Sequence, residues 1–395
     1  MKKIKKETVI SLVILSQLFL QNFNLSINYF LDINNTQVFT YSYYGVILFL
    51  VYIGILNQKV TNKYGIFILL IFILVGLTSY GLFPETRMFY LSQDMIIIYI
   101  LVLPLLLYTI DFNINIDIVI NKISRISKWL LPWSILGLFY LDFDNKINYM
   151  VYSYALLPSI MSFLYTFSKN IKLIDILYFF MGLILVILYG SRTVFIVIIA
   201  YLLISVLFSF KLNRNINFNK LIVVLLLYTA IFTIFLFLIG QFREYNTRIV
   251  NFLMNGDIFE DQNRVTLYNL LLQHMKQHVF IGNGIFSDRI IIYNITGEFA
   301  YSHNFFIEIY VSFGLVGFIL VTFIAIYWLA KFLTLNTILK YQFIYLALTF
   351  FSRYLVSGSY IEEVNFYLFV CLSYIVLKNY KNTRGKLHEK DYIHN

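Results

Sequence analysis

AYSHNFFIEIYVSFGLVGFILVTFIAIYW, residues 300–328, is the stretch that decides the fold. Past Glu308 it runs for twenty residues without a charge, about the length a helix needs to cross the hydrocarbon core of a bilayer. The spacing predicts a membrane span over 304–328 with a His-Asn pair, His303 and Asn304, at its mouth. Such runs recur along the chain. Hydrophobic residues make up 60% of it, charged residues 13%, and the mean hydropathy is +0.77, whereas soluble domains carry about 25% charged residues. Apolar runs near 8–22, 39–56, 65–83, 95–110, 129–141, 149–167, 173–189, 192–210, 221–240, 304–328, 341–357 and 364–378 predict an all-α polytopic membrane protein with about twelve spans. Helices satisfy their own backbone groups in lipid, so residues 1–395 are expected to form one integral membrane domain. The basic KKIKK at 2–6 precedes an apolar run with no small-residue cleavage site, which predicts a retained first span.

Charge sets the orientation. With both termini cytoplasmic, the inner segments hold 21 of the 30 Lys and Arg and six of the 20 acidic residues. Cationic residues favour the inner face, and the alternation holds at every loop. The net charge of +10 therefore reflects topology. A nucleic-acid surface would cluster its basic residues on one soluble face, and no soluble domain is expected, so no nucleic-acid partner is. The lone Cys371 lies in the last span and permits no intrachain disulfide.

Lys and Arg divide differently. Lys follows the topology, with only Lys146 and Lys276 outside; seven of ten Arg lie outside, namely Arg87, Arg192, Arg243, Arg248, Arg264, Arg289 and Arg353. Guanidinium matches phosphate oxygens two at a time. The set suggests an anionic ligand at the outer face, a phosphate or diphosphate; each Arg taken singly has the alternative of pairing with an outer carboxylate.

Most connections are short, and two segments differ. In IDIVINKISRISKWL, residues 116–130, Ile116, Val119, Ile120, Ile123, Ile126 and Leu130 form one helical stripe, with Lys122, Arg125 and Lys128 off it. Either a helix lying in the lipid interface or an N-terminal extension of the fifth span fits that pattern. The extracytoplasmic loop 241–303 is the longest connection, and loops of such length are functional or disordered. Its Val265, Tyr268, Leu271, Leu272, Met275 and Val279 recur at helical spacing, which predicts an amphipathic helix capping the membrane domain, with Arg264 in its first turn. Gly282 and Gly284 would end it in a turn.

Three stretches of the outer face carry candidate chemistry. In YGSRTVFIVII, residues 189–199, Arg192 sits at the membrane boundary beside a helix N-terminus, where free N–H groups favour an anion; a snorkelling interfacial Arg is the plain alternative. The long loop supplies Arg243, Arg248 and Arg264. SHNFFIEIY supplies His303 and Asn304, with Glu308 one turn below. An imidazole suits proton removal near neutral pH, although a lone interfacial His is often only polar surface. His274 and His278 share a zinc-compatible i, i+4 spacing without the Glu of a metalloprotease motif or a third ligand. The GNG of 282–284 is too short for a nucleotide loop, and nothing brings Ser287 or Ser302 into a hydrolase triad. There is no internal repeat or inverted symmetry of the kind transporters show.

The combination resembles the O-antigen polymerase and ligase family of bacterial envelope biogenesis, across roughly residues 185–325. The corresponding motifs are Ser191-Arg192, Arg264 followed by Gly282-Asn283-Gly284, and His303-Asn304 with Gly314 and Gly317. Two departures stand out: Tyr268 where Trp is common, and Val279-Phe280-Ile281 where a Pro is usual. The resemblance implies a multi-pass protein of the bacterial cytoplasmic (inner) membrane that joins polyprenyl-diphosphate-linked oligosaccharide repeats into O-antigen, capsule or exopolysaccharide. It implies an inverting glycosyltransferase that needs no metal and no cofactor. Arg192, Arg243, Arg248 and Arg264 would hold the lipid diphosphate, and Arg192, Arg264 and His303 would act in catalysis with Asn304 and Glu308 in support. The implied partners are the lipid-linked glycan, membrane lipid, and a flippase and chain-length regulator of the same pathway. Polymerase is favoured; a ligase acting on a terminal acceptor and a lipid-linked glycan flippase stay open. A flippase would place charges in mid-span, and this chain places its Arg at the outer boundary.

Overall fold

The computed structural model describes residues 5–31, 63–90, 114–138, 149–169, 172–189, 191–212, 262–297, 300–361 and 363–393, with isolated positions between 42 and 52. Helices dominate: α1 (Lys6–Leu31), α2 (Lys63–Leu82), α3 (Ile116–Leu138), α4 (Tyr149–Lys169), α5 (Leu173–Tyr189), α6 (Arg192–Leu212), α7 (Gln262–His274), α8 (Ser287–Thr296), α9 (Phe305–Thr334), α10 (Thr337–Leu346) and α11 (Val364–Ile393). There is no strand among the described residues. The runs expected at 39–56, 95–110 and 221–240, and Arg243 and Arg248, lie outside the described residues or nearly so.

The chain divides into two compact units. One comprises residues 14–39 and 120–260. Its centre is α4, buried on almost every side, as a helix that is apolar all round must be. Gly182 of α5 lets the two helices approach closely: a Cβ there would meet Ile160 Cγ1 at 2.5 Å. The helix ends pair as antiparallel neighbours require. At one end Lys128 meets Asp175 at 2.5 Å, and Thr166 Oγ1 donates to Asp175 at 3.2 Å. At the other, Tyr152 and Ser134 both donate to Asn22 Oδ1, and Tyr152 stacks on Tyr189 at 4.3 Å.

The stripe of 116–130 belongs to a single helix, α3, that continues through Pro132 to Leu138. Ile116, Val119, Ile120 and Ile123 are buried in protein. The stripe is thus continuous with the run expected at 129–141 and does not form a separate helix, and Lys128 is held by a carboxylate.

The other unit comprises residues 1–13, 40–119 and 261–395. Its α9 is the one helix among the described residues long and apolar enough to cross a membrane. It is broken: Gly314, at φ 63° and ψ −160°, divides Phe305–Phe313 from Leu315–Thr334. The second part is about 30 Å long at 1.5 Å per residue. Val316, Leu320, Phe323, Tyr327 and Leu333 are exposed along it, a length and apolar surface that match a membrane span. The run expected at 304–328 lies within this helix, and its first turns, Phe305, Glu308 and Ile309 among them, are buried in the protein before the break. Helix α10 passes into a π-helical stretch, Ala347–Phe351, and a 3-10 turn, Ser352–Leu355. The 3-10 turn carries Arg353.

Candidate active site

The break in α9 is filled by the Gly-x-Gly turn. Asn283 N donates to Val311 O at 2.9 Å and Gly284 N to Ser312 O at 3.0 Å; Leu315 N donates to Val279 O at 2.7 Å and Val316 N to Phe280 O at 3.2 Å. The backbone groups that a helix interruption orphans are therefore satisfied by main chain. Only glycine permits the approach. A Cβ on Gly282, at φ 77°, would lie 2.5 Å from Gly314 N, and a Cβ on Gly314 would lie 2.5 Å from the Phe280 carbonyl. The turn splices a helix; its amides are used and cradle no phosphate.

Helix α7 caps this unit, with part of its expected face. Leu271 and Met275 are buried with Ile291, Ile292 and Val311, each worth about 1.5–3 kcal/mol when fully buried. Val265 and Leu272, read as core from their spacing, are exposed. His274 ends α7, and a 3-10 turn, Met275–Gln277, separates it from His278, whose φ is −131°. The continuous helical face that the zinc spacing requires is not formed.

Beneath the cap lies a buried ionic cluster. Asp288 and Glu308 are 0% exposed and Arg289 is 4% exposed. Arg289 Nη1 donates to Asp288 Oδ1 at 2.9 Å and to Glu308 Oε1 at 3.4 Å. Its Nη2 donates to Ser359 Oγ at 3.0 Å, and Ser359 Oγ donates to Glu308 Oε1 at 2.6 Å. Backbone amides complete the shell: Ser302 N donates to Asp288 Oδ2 at 2.9 Å and Tyr360 N to Glu308 Oε2 at 3.3 Å. Burial, and then the Glu308 carboxylate, push the Tyr360 phenol well above its ordinary value, so it stays protonated. The cluster ties α8 and the first part of α9 to two loops, 300–304 and 355–361.

Those loops carry the candidate chemistry. His303 is half-buried and left-handed, at φ 54°. That conformation costs an L-residue about 1–2 kcal/mol, and the structure imposes it from both sides. Asp288 holds Ser302, and Asn304 caps α9, accepting from Phe306 N at 3.0 Å and Ile307 N at 3.3 Å. Asn304 supports the site as an N-cap, Glu308 as a cluster member. Three side chains then grip consecutive carbonyls of the second loop. Asn304 Nδ2 donates to Leu355 O at 3.5 Å, Arg264 Nη1 to Val356 O at 2.6 Å, and Tyr301 Oη to Ser357 O at 2.7 Å.

The structure therefore brings together Arg264, His303, Asn304 and Glu308, all in one unit. Arg192 opens α6 in the other unit, half-buried, three residues after Tyr189. The arginines expected at the outer face separate by partner. Arg87 caps α2 through Tyr80 O and Gly81 O at 3.0 and 3.3 Å. Arg289 belongs to the buried cluster, and Arg353 pairs with Glu363 at 2.9 Å. For these three, structural partners account for the residue. The loop 355–361 was missed by sequence reasoning. Its signal is the run Ser357-Gly358-Ser359 followed by Glu362-Glu363, a polar knot between two apolar runs.

No curated protein matches the chain. The model of a family described as O-antigen ligase matches residues 177–322, from within α5 to the second part of α9. That stretch takes in Arg192, Arg264, the Gly-x-Gly splice and His303, and over it the chain is similar to that family.

Proposed function

We propose that this is a multi-pass membrane glycosyltransferase that moves an oligosaccharide from a polyprenyl-diphosphate carrier to a sugar hydroxyl at the outer face of the bacterial cytoplasmic membrane. The observation that carries the reading is His303. A half-buried imidazole is held in a strained backbone conformation, among loops fixed by ion pairs and caps, inside the family-matched stretch. Strain of this kind persists where the surroundings over-determine it, and it clusters at functional sites.

The chemistry follows from the residues. The acceptor hydroxyl gives its proton to His303 as its oxygen bonds to the anomeric carbon. The bond from that carbon to the diphosphate breaks on the opposite face, which inverts the centre. The electron pair leaves with the polyprenyl diphosphate, and guanidinium groups stabilise the charge. Arg264 has five N–H donors, enough to hold the Val356 carbonyl and also to receive a phosphate oxygen. Arg192 is assigned to the diphosphate on its place in the motif. Arg243 and Arg248 keep that assignment from sequence alone.

Polymerase and ligase share this chemistry and differ in the acceptor; the family match supports both equally. The polymerase form takes a second lipid-linked repeat as acceptor and is the form proposed. His303→Asn is the decisive variant, because Asn tolerates the left-handed backbone and cannot serve as a base near neutral pH. In a deletion strain with equal membrane levels, the variant is expected to lower polymer by 100-fold or more, within the range of about 10²–10⁴ for general-base loss. Surface glycan reduced to single repeats indicates a polymerase; long chains stranded on the carrier indicate a ligase; an unchanged ladder rejects the site.

Arg192 offers a second test. Arg192→Lys is expected to damage activity nearly as much as Arg192→Ala, since an ammonium cannot form two parallel bonds to a phosphate. Full-length polymer from the Lys variant would show that charge alone suffices.

A further inference from the structure

We propose that Tyr301 is the residue that positions the His303 imidazole. The inference rests on the active-site reading above and adds a residue to it. The two rings lie 4.2 Å apart between centroids, inclined by 50°. Closer than most aromatic pairs, this contact leaves the imidazole little freedom on that side. Tyr301 is itself held from two directions. Its hydroxyl donates to Ser357 O at 2.7 Å, and the Arg289 guanidinium lies over its ring at 5.8 Å. Arg289 is fixed by two carboxylates and a serine. A continuous chain of contacts thus runs from the buried ionic cluster through Tyr301 to the imidazole.

The arrangement answers a mechanical need. A left-handed residue at the entrance of a helix has its backbone fixed, but its χ angles are still open. An imidazole that is to take a proton in flight must hold one rotamer, because misplacement of about 1 Å can cost on the order of 10²-fold in rate. The Tyr301 ring supplies that wall. An aromatic face also favours a cation beside it, so it suits both the neutral and the protonated imidazole.

The test pairs turnover with a chemical probe of His303 that does not depend on activity. Full-length wild type, Tyr301→Leu and Tyr301→Phe are prepared in membrane vesicles. Transfer of lipid-linked repeats is timed, and carbethoxylation by diethyl pyrocarbonate is followed at each histidine by mass spectrometry. The exposed His274 and His278 serve as internal controls. Tyr301→Leu is expected to lower turnover about 10- to 100-fold with the donor KM nearly unchanged, and to speed modification of His303 several-fold while the controls hold their rates. Tyr301→Phe, which keeps the ring and loses the bond to Ser357, is expected to stay within several-fold of wild type in both readouts.

Unchanged His303 reactivity in Tyr301→Leu overturns the proposal even where turnover falls, since the residue would then act on the loop alone. A Phe variant as damaged as the Leu variant overturns it as well, because the tether and not the ring would be what matters. If the Leu variant fails to accumulate in the membrane, Tyr301→Met, which also removes the ring, is read in its place against the same expectations. His303→Asn in the same vesicles separates the two levels of inference: wild-type turnover there defeats the active-site reading, while the carbethoxylation rates still decide whether Tyr301 holds the imidazole.

Discussion

Arg289→Ala is expected to destabilise its unit by about 3–5 kcal/mol, the cost of removing one partner from a buried ion cluster. The reason lies in what remains. Asp288 and Glu308 are 0% exposed, and the guanidinium is the cation that both carboxylates face. Without it two anions share a site away from water, and the loops 300–304 and 355–361 lose their common anchor. Arg289→Lys is expected to recover only part, because one ammonium cannot reach Asp288, Glu308 and Ser359 with the reach of a planar fork. Neutralising the whole cluster, with Asp288→Asn, Arg289→Met and Glu308→Gln together, is expected to cost less than Arg289→Ala alone, since no charge is then stranded. Thermal midpoints of the detergent-solubilised protein, read by size-exclusion fluorescence, check the order. An Arg289→Ala midpoint equal to wild type would show that the carboxylates find water or protons instead.

Gly314→Ala is the second large effect, expected at about 2–6 kcal/mol. It combines two costs. The backbone at φ 63° and ψ −160° lies in a region open essentially to glycine, with strain of about 1–3 kcal/mol for other residues. The added Cβ also lies 2.5 Å from the Phe280 carbonyl, and overpacking of that kind costs about 1–3 kcal/mol. Gly297→Ala provides the contrast. Its φ is 78° but nothing lies within 4 Å of the added atom, so only the left-handed penalty of about 1–2 kcal/mol applies. Midpoints that rank the two variants equally would remove the splice as a structural constraint.

The helices that carry the site were legible because their signals are local. Twenty uncharged residues after Glu308 announce a spanning segment wherever it sits, and Arg264 opens a helix that its own periodicity predicts. What was not legible depends on partners distant in the chain. Gly314 reads as one glycine inside an apolar run, and glycine in a helix is ordinarily tolerated. Its break becomes visible only beside Gly282, more than thirty residues earlier. Leu272 and Leu271 are one step apart and equally apolar, yet only Leu271 meets α8 and α9; a stripe gives a face to within a residue, and the partner chooses. Arg289 was read with the arginines available to a ligand because a sequence shows charges singly. The neighbouring Asp288 was a hint, and Glu308 and Ser359 arrive through tertiary contact.

The grip on the loop after Leu355 has a consequence for how this protein can diversify. Arg264, Tyr301 and Asn304 bind main-chain carbonyls, which every amino acid supplies alike. Leu355 is exposed and Val356 half-buried, so the frame makes little demand on those two side chains, whereas Ser357 is buried. Replacements at Leu355 and Val356 leave the anchorage whole, so this edge of the loop is a place where evolution, or an engineer, can rewrite the exposed surface without first rebuilding the machine beneath it.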